Sequence, residues 1–241
     1  MINMDKQVVV ITGSTGDIGS PLTKKLLESG YRVAACVRDV STSGIKTSDD
    51  VTLYECDFSD SVLIKQCVSQ IKKNYKDVFA IVNCVGVAHG GSFMLTKPAE
   101  LKQIFDINYF AIIDFTQQLV RKMLKSKTGC IINIASTAGI LSDKGTIAYG
   151  ASKAALIHTS KVMASELGGF GIRVNAIAPA VIESKMAALM DEKSITELDN
   201  RACLNSKIYP KEIVNTIEFL LSDSARNITG QVITIDRGIT R

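Results

Sequence analysis

The chain has 241 residues, 46% of them hydrophobic and 22% charged, with a formal net charge of +4. That is enough apolar material for the core of one large domain. The lysines and arginines are scattered without a long basic run, which argues against a nucleic-acid partner, and no apolar stretch approaches the ~20 residues of a membrane-spanning helix. The six cysteines form neither a Cys-x-x-Cys pair nor a zinc-ligand spacing, so they read as small apolar residues of a reducing, cytoplasmic compartment, with no metal site. The apolar run beginning at Val8 is too short for a signal peptide and leads straight into a glycine-rich turn.

In chain order, apolar runs alternate with helix-like segments. Strands are predicted at Val8–Thr12, Tyr31–Val37, Val51–Glu55, Phe79–Asn83, Ile131–Ala135, Arg173–Ile177 and Gln231–Ile235. Helices are predicted up to Leu26 after the first strand, then over Val62–Lys73, Glu100–Lys125, 149–167 and 211–221. The alternation implies an α/β fold, a doubly wound parallel sheet of about seven strands with helices on both faces. No repeat or linker divides residues 1–241, so one Rossmann-type domain is expected. The stretch Glu183–Tyr209, polar, mixed in pattern and closed by Pro210, is too long for an ordinary connection. It reads either as a lid or as a pair of extra surface helices.

The first strand runs into Thr12-Gly13-Ser14-Thr15-Gly16-Asp17-Ile18-Gly19, where the first helix starts. Glycines there let backbone amides approach a pyrophosphate, which the helix N-terminus also attracts, and Ser14 and Thr15 can add hydroxyl donors. The second strand ends Val37-Arg38-Asp39. An acidic residue at this position suits a ribose 2′-hydroxyl and an arginine suits a 2′-phosphate; the register favours Arg38 and hence NADP(H) over NAD(H).

The stretch Ile131–Lys153 carries the chemistry. Ser136 lies just past a buried-strand pattern, Tyr149 follows 13 residues later (149 − 136) and Lys153 four after that (153 − 149). On a helix, positions i and i+4 share a face, so a phenol and an ammonium converge near a strand-end hydroxyl as an acid–base group.

These pieces, TGSTGDIG, CDFSD, VNCVG, FDINY, IINIAS, YGASK, RVNAIAPAVIESKM and ITGQVITID, resemble the short-chain dehydrogenase/reductase family over essentially the whole chain. The look is nearest to 3-oxoacyl-acyl-carrier-protein reductases and related carbonyl reductases. The resemblance implies that Tyr149 is the acid that protonates a substrate carbonyl. It implies that Lys153 binds the nicotinamide ribose and favours tyrosinate, that Ser136 holds the reacting oxygen, and that Asn108 holds a relay water. It places Gly13, Ser14, Thr15, Asp17, Ile18 and Gly19 at the phosphates, Asp57 and Phe58 at the adenine, and Asn83 and Gly86 beside the ribose. Pro179, Ile182 and Ser184 are placed near the carboxamide. A homotetramer or homodimer is also implied, with helices 101–124 and 149–167 as packing surfaces.

The departures from that pattern are specific. Asp17 replaces the middle glycine of the turn and gives a TGxxGxxG spacing, known from sugar-nucleotide-modifying relatives, although only about thirty residues follow Pro210 where those carry a further domain. An extra carboxylate there disfavours a pyrophosphate unless it faces away. Cys84, Val85, Ala180 and Arg237 replace an asparagine, an alanine and two glycines, and Phe170 stands where some relatives carry a carrier-binding arginine, leaving Arg121 for that contact. His89 reads either as a pocket-mouth or as a solvated loop residue, and His158 as structural. The expected activity is NADPH-dependent reduction of a ketone or 3-oxoacyl group, possibly on a carrier-bound acyl chain. A sugar-nucleotide-modifying enzyme and a non-catalytic nucleotide sensor are the alternatives.

Overall fold

The computed structural model describes residues 6–189 and 192–239. Seven strands form one sheet: β1 Val8–Thr12, β2 Arg32–Val37, β3 Val51–Glu55, β4 Ala80–Asn83, β5 Gly129–Ile134, β6 Ile172–Pro179 and β7 Val232–Ile235. Their order is β3-β2-β1-β4-β5-β6-β7 and every pairing is parallel. The helices are α1 Gly19–Glu28, α2 Ser61–Asn74, α3 Pro98–Phe105, α4 Ala111–Val120, α5 Ile147–Leu167, α6 Glu192–Asn200 and α7 Pro210–Leu221.

Alternate residues of each strand feed two separate cores, because successive side chains point to opposite faces of a sheet covered on both sides. Val10, Ala34, Ile81, Ile131 and Val174 pack with residues of α2, α4 and α5. Val9, Ile11, Val33, Val82, Ile132 and Ile177 pack with residues of α1 and α7. Cys36 and Cys67 lie in the first of these cores with their sulfurs 3.7 Å apart, as the apolar reading of the cysteines requires. Local signals set the helix ends. The Asp60 carboxylate accepts from the Val62 and Leu63 amides to start α2, while Pro210 opens α7 as Glu212 accepts from the Tyr209 amide.

The continuous helix expected over Glu100–Lys125 is interrupted. A π turn at Asp106–Phe110 separates α3 from α4, and the helix ends at Val120. Asn108 in that turn is fully buried, and its amide both accepts from the Val87 amide and donates to the Val87 carbonyl. An apolar helix that must deliver one polar side chain to a fixed backbone partner does so through such a bulge.

The sheet order reverses direction between β1 and β4, which opens a cleft at the C-terminal ends of the strands. The turn from β1 to α1 lies there, with Gly13 at φ +67°. A β-carbon on Gly19 would sit 2.1 Å from the Gly13 carbonyl oxygen and 2.8 Å from the Ser14 α-carbon, both backbone atoms. Gly19→Ala is therefore expected to destabilise the fold by about 1–3 kcal/mol, read as a lower urea midpoint at unchanged slope.

Candidate active site

Ser136 follows β5 in an extended conformation, and its hydroxyl oxygen accepts from the Ala138 amide at 3.2 Å, capping the short 3₁₀ turn Thr137–Gly139. That turn packs against α5; a β-carbon on Gly139 would approach the Lys153 backbone carbon to 2.7 Å. The close packing brings Ser136 alongside Tyr149, near enough for its hydroxyl to favour the phenolate. One helical turn on, the Lys153 ammonium lies 5.8 Å from the Tyr149 ring centroid and donates to the Ile134 carbonyl at 2.9 Å. Its side chain is 3% exposed.

Burial governs the protonation states. Removal from water raises the Tyr149 pKa, and the Ser136 hydroxyl only partly opposes this. Burial thus favours the neutral phenol, while the effect of the Lys153 charge on Tyr149 stays an expectation. The Lys153 ammonium is itself pushed down to about 8 by burial, with the nearby Cys84 thiol acting in the opposite sense. Cys84, at the position of the family's second asparagine, is raised to about 12 by its own desolvation and stays a thiol.

Asn108 stands behind this group. Besides both Val87 backbone groups it donates to the Ser152 hydroxyl at 3.3 Å, and Ser152 donates to the Tyr149 carbonyl at 2.7 Å. Its amide thus braces the loop after β4 against α5. Gly86 keeps this packing close, since a β-carbon there would lie 3.1 Å from the Lys153 ammonium and 3.6 Å from the Asn108 amide oxygen.

At the phosphate end the structure divides the sequence candidates. Gly13 and Gly19 form the turn, and among the described residues the amides of Asp17 and Ile18 make no hydrogen bond to protein. Thr15 is exposed, but the Ser14 hydroxyl is buried and donates to the Ile11 carbonyl at 2.9 Å. Ser14 is therefore corrected from phosphate donor to turn support. The Asp17 carboxylate turns away from the amides and accepts from the Lys185 amide at 2.8 Å.

At the adenosine end, Asp39 accepts from the Ser41 amide at 2.8 Å and hydroxyl at 2.6 Å, while Arg38 is exposed. Asp57 accepts from the Ser59 amide and hydroxyl at 2.8 and 2.7 Å. Those bonds first, and the Arg38 charge last, hold its carboxyl below the usual range. The Phe58 ring is buried, 5.4 Å from Phe115, and the Asn83 amide donates to Thr116 and Asn133 inside the sheet. Both side chains therefore belong to the core, and a cofactor contact at either residue would run through its backbone.

Across the cleft, Pro179 ends β6, Ile182 is half-buried, and the Ser184 hydroxyl accepts from the Ala187 amide. The candidate lid at 183–209 contains a 3₁₀ turn at Ala187–Leu189 and α6; its residues 190 and 191 lie outside those described. Sequence reasoning did not find the contacts of Lys185, Asp143 and Arg201, which join this segment to the body; no short motif marks them. Arg201 donates to Asp143, in the loop after Ser136, at 2.6 Å. A cavity of about 610 Å³ flanks that loop, lined by Phe93, Leu141, Asp143 and Ile147 but by none of Ser136, Tyr149 and Lys153. His89 is partly exposed and packs on α3, with Nε2 3.6 Å from Glu100. His158 and Arg121 are exposed.

A glycine turn at the sheet's switch point, free amides at a helix start, and a hydroxyl, phenol and buried ammonium at the next strand end fit a dinucleotide and a carbonyl or alcohol. They define the site class of a nicotinamide-dependent oxidoreductase. The family model described as Enoyl-(Acyl carrier protein) reductase matches residues 13–240. The 3-oxoacyl-acyl-carrier-protein reductase of Thermotoga maritima is 31% identical over 246 residues, covering 99% of each chain, and that of Rickettsia felis is 30% identical with the same coverage. A solved structure of 4-hydroxyisoleucine dehydrogenase complexed with NADH superposes with a TM-score of 0.90 at 30% identity, covering 98% of this chain and 99% of that one. The chain belongs to the short-chain dehydrogenase/reductase family and is an oxidoreductase acting on CH–OH or C=O groups.

Because the folded pKa of Lys153 lies near 8, below the 10.5 of a free lysine, the unfolded chain binds the extra proton between those values. Stability then rises with pH across that window and is lowest below it. The unfolding free energy of wild type minus that of Lys153→Met should increase from pH 7.5 to pH 10; a flat or falling difference in denaturant titrations contradicts the burial argument.

Proposed function

We propose that the protein is an NADPH-preferring reductase that converts a ketone or 3-oxoacyl group to a secondary alcohol. The observation that carries this is the buried Tyr149 phenol beside the Ser136 hydroxyl, with the Lys153 ammonium one helical turn away, 5.8 Å from its ring. Bound nicotinamide would supply the hydride. In this reading Ser136 donates to the substrate oxygen, and Tyr149 passes its proton to that oxygen as negative charge develops there. Lys153 sits where its charge stabilises the phenolate left behind, and binds the nicotinamide ribose. The amides of Asp17, Ile18 and Gly19 hold the pyrophosphate, while the backbones near Asp57, Asn83 and Ile182 position the rest. Reversal of the same proton path oxidises a secondary alcohol.

NADPH over NADH is supported by the adenosine end. Asp39 is committed to Ser41 in its own loop, which leaves Arg38 as the group able to meet a 2′-phosphate. The competing reading, NADH, has its support in 4-hydroxyisoleucine dehydrogenase, whose solved structure holds that cofactor. The protein is read as one cytoplasmic domain over 1–241 with 183–209 as substrate lid. Self-association through α4 and α5 into a dimer or tetramer is supported by Phe110 and Val162, large apolar side chains left exposed at those helices. Carrier recognition has Arg121 as its one basic candidate, since Phe170 is exposed where the arginine is expected.

Tyr149→Phe is expected to lower ketone reduction at least ~10³-fold while leaving NADPH affinity within about twofold. Retained turnover removes the proposed acid. Arg38→Ala should raise the Michaelis constant for NADPH about tenfold and leave that for NADH unchanged. Equal effects on the two cofactors reverse the assignment.

A further inference from the structure

We propose that Asp17 and Arg237, charged residues at two positions where the resembled family usually has glycine, are positioning residues that hold the 183–208 segment against the cofactor cleft. What the segment covers rests on the oxidoreductase reading; the tethering itself does not.

The segment begins and ends at one neck. The Glu183 amide donates to the Ile208 carbonyl at 2.8 Å, and the Lys207 ammonium meets the Glu183 carboxylate at 2.8 Å. Beyond the neck it is fastened by side chains of the body. Asp17, in the phosphate turn, accepts from the Lys185 amide at 2.8 Å. Arg237, just after β7, donates one nitrogen to the Ser206 carbonyl at 2.7 Å and another to the Asp199 carboxylate at 2.5 Å. Its own carbonyl accepts from the Cys203 and Leu204 amides at 3.0 Å each. A planar guanidinium can serve two acceptors at fixed angles, which a single ammonium cannot.

Each residue carries an unfavourable feature that glycine would lack. Arg237 holds φ +60°, in the left-handed region, and its Nε is buried without a partner. Asp17 puts a carboxylate in a turn whose amides attract anions, where it repels a pyrophosphate. Both features are offset by bonds to the same segment, one at Lys185 and the other over 199–206. Because one anchor belongs to the phosphate turn, the segment cannot lift without breaking a carboxylate–amide bond there. Nucleotide seating and lid position are thereby joined through Asp17.

Hydrogen–deuterium exchange on the full, nucleotide-free chain tests this without any turnover. Asp17→Gly should speed amide exchange over 183–189 about tenfold, and Arg237→Gly should do so over 199–206, with β5 peptides unchanged. Asp17→Asn keeps the acceptor, so its exchange should stay at the wild-type rate. Loss of the charge should tighten NADPH binding about two- to fivefold. If Arg237→Gly loses the fold, seen as exchange in β5, Arg237→Lys takes its place and should show the same faster exchange. Wild-type exchange rates in both Asp17→Gly and the Arg237 variant, or Asp17→Asn behaving like Asp17→Gly, overturn the proposal. Failure of wild type to bind NADPH, with the exchange pattern intact, sinks the cofactor reading and upholds the tethers.

Discussion

A lysine ammonium removed from water is the constraint around which the cleft is built. Lys153 has one fixed acceptor, the Ile134 carbonyl at the end of β5, and almost no solvent. Burying a cation with so little compensation is unfavourable, and the shift of its pKa to about 8 records it. The neighbours follow from that choice. A β-carbon at position 86 would crowd the ammonium, Gly139 lets the 3₁₀ turn close onto the helix, and Asn108 fixes the loop that carries Gly86. In such an environment a phenol stays neutral until an anion forms beside it, which is the property a proton donor needs.

Much of the scaffold was legible in the sequence because each strand is short, β-branched and followed by a turn signal. β1 and β3 were bounded to the residue, and the remaining strands to within two. The pattern could not reveal the break in the helix over 100–125. Its apolar period continues through Asp106–Phe110, and only the tertiary demand of Val87 on Asn108 turns that stretch into a π turn. Tertiary contact also decided which side chains face the cleft. Ser14, Asn83 and Phe58 all lie within the right motifs, but turn and sheet hydrogen bonds claim the first two and the first core claims the third.

The family pattern was most informative where this chain breaks it. A glycine replaced by aspartate in a phosphate turn looks like a defect when read along the chain alone. In three dimensions the carboxylate has an amide partner 168 positions away, a pairing that no local rule anticipates. Arg237 is similar, since its acceptors, Asp199 and Ser206, belong to a segment whose sequence shows no regular period. Long-range side-chain-to-backbone bonds of this kind are chemically ordinary, but spacing does not announce them.

The distribution of sulfur has a practical consequence. Cys36, Cys56, Cys67 and Cys130 are buried, and Cys84 is held far from its thiolate, whereas Cys203 is exposed at the surface of the 183–208 segment with its thiol facing the Gly238 carbonyl. Alkylation requires an accessible thiolate. A maleimide dye added to the native protein would therefore attach at Cys203, giving the unaltered chain a built-in optical reporter on the segment that Asp17 and Arg237 fasten.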